Sequence, residues 1–537
     1  MDKITIVSVH IRMVIFFLVV RGLNASIQFL SCRLSREGSF LIYFAWRLCS
    51  MRVGQENAQI MFVTSEIFPF SKTGGLGDVL GVLPLVLQDQ GLQVAVITPF
   101  YGRLYTADFQ IRLVLENCPV NYPWPEVAAD IYVADYHGVP IYFVDRPEYF
   151  DRKNYYCTYH GEFFDNCERY IFFCRAAVAL ARKLGVPPNI MHAHDWHSSL
   201  VPAFVHYARR LDPFWRQTRT VMTIHNLAFQ GQYSARLFWT SGLPAEAWHM
   251  DGAEYYGSFN MLKTGIAYAH RITTVSPTYA QEIITSEFGC GLHGILSSRK
   301  KDLRGILNGV DYSFWDPRHD RFLMYPYSPE NVQGKIECKK TLLYIMGFHP
   351  RFLSRPLLGF IGRLREQKGI DLLLEIVDEL MAMDVGLIVL GEGDLGIETH
   401  LGNLVEQYPG QLAACIGYTE ETSHQIMAGT DIFLMPSRYE PCGLTQLYSL
   451  RYGTLPVASQ VGGLLDTVVG YPAQGCTGFT FSPITGRALL QAIQQAVSVW
   501  KDDGQWQQMQ NRAMHQDFSW QRSAREYMSV YRELGLV

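Results

Sequence analysis

An α/β protein built from two Rossmann-like lobes, facing each other across a deep cleft, is the fold class this sequence predicts, on three observations. The chain has 537 residues, too many for one ordinary core and enough for two of roughly 200 to 250 residues each. From Ile60 onward short apolar runs alternate with amphipathic stretches, the rhythm of parallel strands covered by helices on both faces. That rhythm falters once, between Arg318 and Pro356, and then resumes.

In the first half the apolar runs are IMFV from Ile60, QVAVITPFY from Gln93, IYFVD from Ile141, NIMHAHD from Asn189, TRTVMTIHN from Thr218 and RITTVS from Arg271. Helical patterning lies between several of them, most clearly from Cys167 to Leu184. Pro and Tyr then cluster through Arg318 to Pro356 without a sustained strand, and this stretch reads as interdomain. The second half repeats the rhythm with PLLGFIGRL, VGLIVLGEGD, LAACIGY, DIFLMPS and LPVASQ. The last segment, FSWQRSAREYMSVYREL, is helical and aromatic, suited to packing back across the first lobe. The expected division is therefore 1–58 as an N-terminal extension, 59–310 and 311–516 as the two lobes, and 517–537 as the returning helix.

Composition narrows the function. A 48% hydrophobic, 18% charged chain with 30 Tyr and 31 Phe builds large cores. A net charge of −4 lends no electrostatic support to a nucleic-acid partner. A neutral polymer or a small molecule fits better. The 11 cysteines include no C-x-x-C pair, which points to reduced thiols and a cytoplasmic setting. Residues Met13–Val20 form an apolar run far short of the roughly 20 residues that span a bilayer, so no membrane span is expected. For 1–58 a start at Met51 is the favoured reading, beside a signal peptide for which no small-residue cleavage site stands out.

Ligands of open α/β sheets bind beyond the carboxyl ends of the strands, and the unusual clusters of this chain lie there. SKTGGLGDVLG, from Ser71, has glycines for close backbone approach and a following helix N-terminus to face an anion. Its lysine precedes the glycines, so it is not a Walker loop, and the dinucleotide spacing is absent. HAHDWH, from His192, suggests metal, but Trp196 parts Asp195 from His197 and no distant ligands present themselves. No metal is expected, and Asp195 reads as polar equipment for a hydroxylated substrate. His225 closes another strand. Arg363 and Lys368 share a loop whose two cations suit a diphosphate. Glu440, a carboxylate for sugar hydroxyls, precedes Cys442 and Gly443 at a helix start, and Gly462 and Gly463 repeat that device. Cys442 has no neighbouring histidine and reads as packing.

Taken in order, KTGGLGDV, HAHDWH, TIHNLAFQGQY, VSPTYAQEI, ILNGVD, GRLREQKGIDLL and RYEPCGLTQLYSLRYGTLPV resemble the bacterial glycogen synthase and plant starch synthase family over about residues 60 to 530. The resemblance implies a retaining GT-B glycosyltransferase that moves glucose from ADP-glucose to the non-reducing end of an α-1,4-glucan, without a cofactor. It implies a catalytic set of Asp195, His225, Arg363, Lys368 and Glu440. His225 would reach the glucose 6-hydroxyl, Arg363 and Lys368 the pyrophosphate, and Glu440 the glucose. Lys72 and Gly75 would lie at the donor and acceptor junction, and Asp78 falls on the family's loop aspartate among the substrate-binding residues. Asn308 would lie near the donor, the backbone around Gly443, Leu444 and Thr445 would meet the phosphates, and Cys442, Gly462 and Gly463 are expected beside them among the substrate-binding residues. The competing readings are a UDP-glucose-dependent GT-B transferase and a non-catalytic glucan-binding relative.

Overall fold

The computed structural model describes residues 59–102, 109–120, 127–158 and 161–536. The expectations for residues 1–58 fall outside them. Two sheets organise the chain. The first has nine strands in the order Leu303–Gly305, Arg271–Thr274, Arg219–Ile224, Ile190–His194, Ile60–Val63, Val94–Pro99, Val139–Asp145, Ala128–Tyr136 and Arg112–Pro119. The central strands are parallel and buried end to end. Continuous apolar sequence is what burial on both faces demands.

One edge departs from the expected parallel pattern. Arg112–Pro119, Ala128–Tyr136 and Val139–Asp145 form an antiparallel meander. Its outer strand exposes Arg112, Leu113 and Glu116, and bulges interrupt its pairing. A charged, bulged edge resists pairing with another chain, and its register shifts break the alternation by which sequence reveals a strand.

The second sheet is parallel throughout, in the order Leu412–Ile416, Gly386–Gly391, Leu357–Ile361, Ile432–Met435, Leu455–Ser459 and Phe479–Phe481. The stretch read as interdomain belongs to this lobe's core. Tyr327, Cys338, Leu342, Phe348 and Phe352 are buried there, and the helix Gln333–Ile345 packs on the helix Glu420–Gly429. Proline and tyrosine masked that helix in the sequence. Among the described residues no helix is long and apolar enough to cross a membrane.

Among the parallel strands of each sheet the strand order reverses once. The reversal lies between Ile60–Val63 and Ile190–His194 in the first sheet, and between Leu357–Ile361 and Ile432–Met435 in the second. Such switch points open a crevice at the carboxyl edge. The chain passes between lobes twice, side by side: the Val310 N–H donates to the Phe518 carbonyl at 2.7 Å. Phe518 lies in the second core and Trp520 in the first. The helix Trp520–Glu533 buries Trp520, Ala524, Tyr527 and Tyr531 beside Ile60, Phe62 and Ile190. A Cβ on Gly309 would lie 2.5 Å from the Trp520 Cα, so only glycine lets the two crossings run in contact. Trp520→Ala is expected to lower unfolding stability by about 3–5 kcal/mol in urea titration. A loss below about 1 kcal/mol would show that the returning helix is not part of the first core.

Candidate active site

The loop Ser71–Gly77 is shaped by a residue that belongs to none of the motifs above. Glu66, buried three residues beyond the strand Ile60–Val63, accepts the Thr73 N–H at 2.5 Å, the Thr73 hydroxyl at 2.7 Å and the Tyr156 hydroxyl at 2.5 Å. Burial pushes the Glu66 carboxyl up, against the lowering effect of the Tyr156 and Thr73 hydrogen bonds. The anion held by the first amides of this glycine loop is therefore the chain's own carboxylate. Gly77 packs closely under the loop, where a Cβ would stand 3.1 Å from the Ser71 carbonyl.

From that pinned loop Lys72 reaches Asp78 at 2.8 Å and, on the other lobe, Glu420 at 3.3 Å. Burial opposes the ammonium charge, and the Asp78 and Glu420 carboxylates outweigh it, leaving the Lys72 pKa raised. Tyr418 donates to the other Glu420 oxygen at 3.1 Å. Gly75, which opens the helix Gly75–Asp89, faces Leu444 of the second lobe, 3.6 Å from where its Cβ would stand. Neither Glu420 nor Tyr418 stood out in the sequence. Both follow the strand Leu412–Ile416, Tyr418 in the loop and Glu420 at the first position of the helix Glu420–Gly429, and strand-end position was the available signal.

Asp195 terminates the strand Ile190–His194 in the left-handed region, at φ +56°, a conformation that Asp and Asn tolerate better than other non-glycine residues. The turn aims its carboxylate at the next strand end, where Oδ1 accepts the His225 N–H at 2.7 Å. Burial pushes the Asp195 carboxyl up to about 7, against the backbone hydrogen bonds from His225 and Asn226. Burial likewise lowers His225 to about 3, so it is a neutral imidazole at physiological pH. The HAHDWH histidines are built into the lobe: His192 and His194 lie buried on a central strand, and the His197 ring packs against Tyr156 and Trp196. Among the described residues no three of His, Cys, Asp and Glu converge to hold a metal ion.

On the second lobe Lys368 and Glu440 meet at 2.5 Å, and Ser437 donates to the same Glu440 oxygen, Oε2, at 3.1 Å. The Lys368 loop and the Glu440 loop are laced by the Arg438 N–H to the Gln367 carbonyl and by Arg438 on Asp371. Gly369 sits at φ +69° against the Pro436 carbonyl, where no side chain fits. Arg363 is exposed, and its guanidinium has no ion pair or hydrogen bond among the described residues. The two expected cations thus differ: one is charge-balanced by Glu440 and one is open.

The two glycines expected to repeat the anion device do something else. The Gly462 N–H donates to Glu282 Oε1 of the first lobe at 2.8 Å, and the Gly463 N–H donates to the Glu440 carbonyl at 3.0 Å. Both amides are used, and any side chain at either position would strike the Glu440 or Cys442 carbonyl. Their role is to let the Glu440–Cys442 backbone lie close. Cys442 is buried, its thiol pushed up to about 12 by burial, which is the chemistry of packing. Asn308 is buried beside it. Gly443, at φ +72°, leads through Leu444 into the short helix Thr445–Arg451. Across the same seam Asp466 accepts both the N–H and the hydroxyl of Thr278 at 2.8 Å, and Ser276 donates to the Pro441 carbonyl at 2.6 Å.

The Asp195 environment gives a pH test. Its folded pKa of about 7 lies above the ordinary 3.8, so between those values the folded state binds the extra proton. Its contribution to stability therefore falls as pH rises through that window. Asp195→Asn, isosteric with the protonated form, should gain stability on the parent between pH 5 and pH 8 in urea midpoints. An identical difference at both pH values would show that the carboxyl is not held protonated.

Comparison with known proteins places this site in a family. Residues 59–298 match the family model described as starch synthase catalytic domain, and 355–498 match glycosyl transferases group 1. The chain is 42% identical over 480 residues to a glycogen synthase of Anaeromyxobacter dehalogenans, covering 89% of this chain and 100% of that one. It is 40% identical to the glycogen synthase of Thermotoga maritima, covering 88% and 98%. The catalytic domain of starch synthase IV from Arabidopsis thaliana, solved bound to ADP and acarbose, superposes with a TM-score of 0.82 at 31% identity, covering 88% of this chain and 99% of that one. A sucrose-phosphate synthase from Thermosynechococcus elongatus, at 18% identity and a TM-score of 0.54, shares the fold alone. The chain belongs to the glycogen synthase and starch synthase family of GT-B glycosyltransferases.

Proposed function

We propose that this glycogen synthase relative transfers glucose from ADP-glucose to the non-reducing end of an α-1,4-glucan with retention of configuration (the activity classed EC 2.4.1.21). The observation that carries the reading is the meeting of two switch points. Lys72, Asp195 and His225 flank one, Arg363, Lys368 and Glu440 flank the other, and Lys72–Glu420 spans the seam. The ADP bound to the Arabidopsis starch synthase domain supports an adenine nucleotide as the donor's leaving group.

The residues suit this chemistry in a definite order. Departure of a nucleoside diphosphate builds negative charge, and cations fixed beforehand stabilise it more in the transition state than in the ground state. Arg363 offers an open fork for a diphosphate. Lys368 brings a second cation, whose partner Glu440 keeps Oε1 clear of the described hydrogen bonds for sugar hydroxyls. On the first lobe the uncharged His225 offers a hydrogen bond at the sugar, and Asp195 lies beside the reacting carbon. The departing phosphate oxygen, on the same face as the entering acceptor hydroxyl, takes its proton, which gives retention. No step asks for a metal or an organic cofactor, and we propose that none is used. The compartment we propose is the cytoplasm.

Purified full-length chain should incorporate glucose into glycogen from ADP-glucose far faster than from UDP-glucose, assayed in parallel. The reverse preference would change the donor, and inactivity with both would sink the proposal. Lys368→Ala should lower kcat by about 100-fold or more in a variant that still unfolds in one cooperative urea transition, at a lower midpoint because Glu440 loses its partner. A near-normal kcat would remove Lys368 from leaving-group stabilisation.

A further inference from the structure

Behind His225 runs a file of buried side chains that the proposed mechanism leaves unused. His192 and His194 project to the same side of their strand, two residues apart, with ring centroids 4.2 Å apart. His192 is held by Thr223 at 2.6 Å and by the Tyr531 hydroxyl of the returning helix at 2.8 Å. His194 Nδ1 lies 2.9 Å from His225 Nε2. The other nitrogen of His194, Nε2, is buried without a hydrogen-bond partner among the described residues. Its ring lies against Phe62 and His192.

This geometry determines where the protons sit. Burial drives His192, His194 and His225 toward the neutral form, and a bond between two neutral imidazoles needs one N–H and one lone pair. If His225 were the donor, the His194 proton would have to sit on Nε2, as a buried N–H with no acceptor. Orphaned buried N–H groups are the rarer and costlier defect. If His194 donates through Nδ1, the only unpaired atom is a bare lone pair among rings. We infer that His194 donates to His225 and locks it in the Nδ1–H tautomer, which makes His194 a positioning residue for glucosyl transfer.

The tautomer assigns a direction to the chemistry. His225 Nε2 is occupied, and Nδ1, which has no hydrogen bond among the described residues, carries a proton to give. His225 then acts on the sugar as a hydrogen-bond donor, not as a base, at the 6-hydroxyl that the family resemblance implies. This last step rests on the proposed function; the tautomer does not.

Two measurements separate them. Nitrogen-15 imidazole spectra of the full chain, with His225→Asn for assignment, should show His225 protonated at Nδ1 and bare at Nε2. The opposite pattern overturns the inference whatever the substrate. Kinetically, His194→Leu should lower kcat with ADP-glucose by about 10-fold, the worth of one misdirected hydrogen bond, with KM within about twofold. The penalty should vanish with ADP-6-deoxyglucose. His194→Asn, whose amide nitrogen stands where Nδ1 stood, should recover to within about threefold. An equal penalty on both donors, or no rescue by Asn from a folded variant, overturns the positioning role. Wild-type inactivity with ADP-glucose would instead defeat the proposed function and leave the tautomer standing.

Discussion

Two short helices, Pro277–Glu282 of the first lobe and Gly462–Thr467 of the second, exchange carboxylates, and the site depends on that exchange. Asp466 binds the first turn of one, and Glu282 binds the first amide of the other. A helix N-terminus has unsatisfied N–H groups and a partial positive charge, so a carboxylate there answers both deficits. Because each carboxylate comes from the opposite lobe, the seam sets the relative position of the lobes by hydrogen-bond length. Glu440 inherits its place from this contact: Gly462 is held by Glu282, and Gly463 then holds the Glu440 carbonyl.

The charges around the cleft follow the same economy of partners. Lys72 stands between Asp78 and Glu420, Lys368 on Glu440, and Glu66 on the amide and hydroxyl of Thr73. Asp195 and the histidines behind it answer burial differently, by shifting toward neutrality. A desolvated charge needs a partner or must be lost. Arg363 stays exposed, with its guanidinium open among the described residues. The cations of the cleft therefore differ in readiness: Arg363 is open, while Lys72 and Lys368 are already oriented by carboxylates.

Much of this was legible beforehand because parallel strands buried on both faces leave continuous apolar runs, and strand ends locate ligands. Asp195, His225, Arg363, Lys368 and Glu440 all stand at such ends. Glu66 and Glu420 satisfy the same rule and were missed, since a lone acidic residue after a strand resembles any solvated loop until Thr73 or Lys72 is seen to come back to it. The outer edge strand, Arg112–Pro119, was hidden by its own exposure and bulges. The helix Gln333–Ile345 was hidden by the prolines and tyrosines around it.

Sequence by itself determined the two-lobed α/β class, the order of the motifs and the family, because hydrophobic period and local spacing are properties of adjacent residues. Only the tertiary structure decided which amides remain available. Gly462 and Gly463 look in sequence like a second anion loop, yet residues from Glu282 and Glu440 occupy their N–H groups. The pairing of His194 with His225, across 31 positions, likewise exists only once neighbouring strands align. Satisfying a buried polar group is a non-local condition, met by whatever the fold brings within about 3 Å, and no run of letters records it.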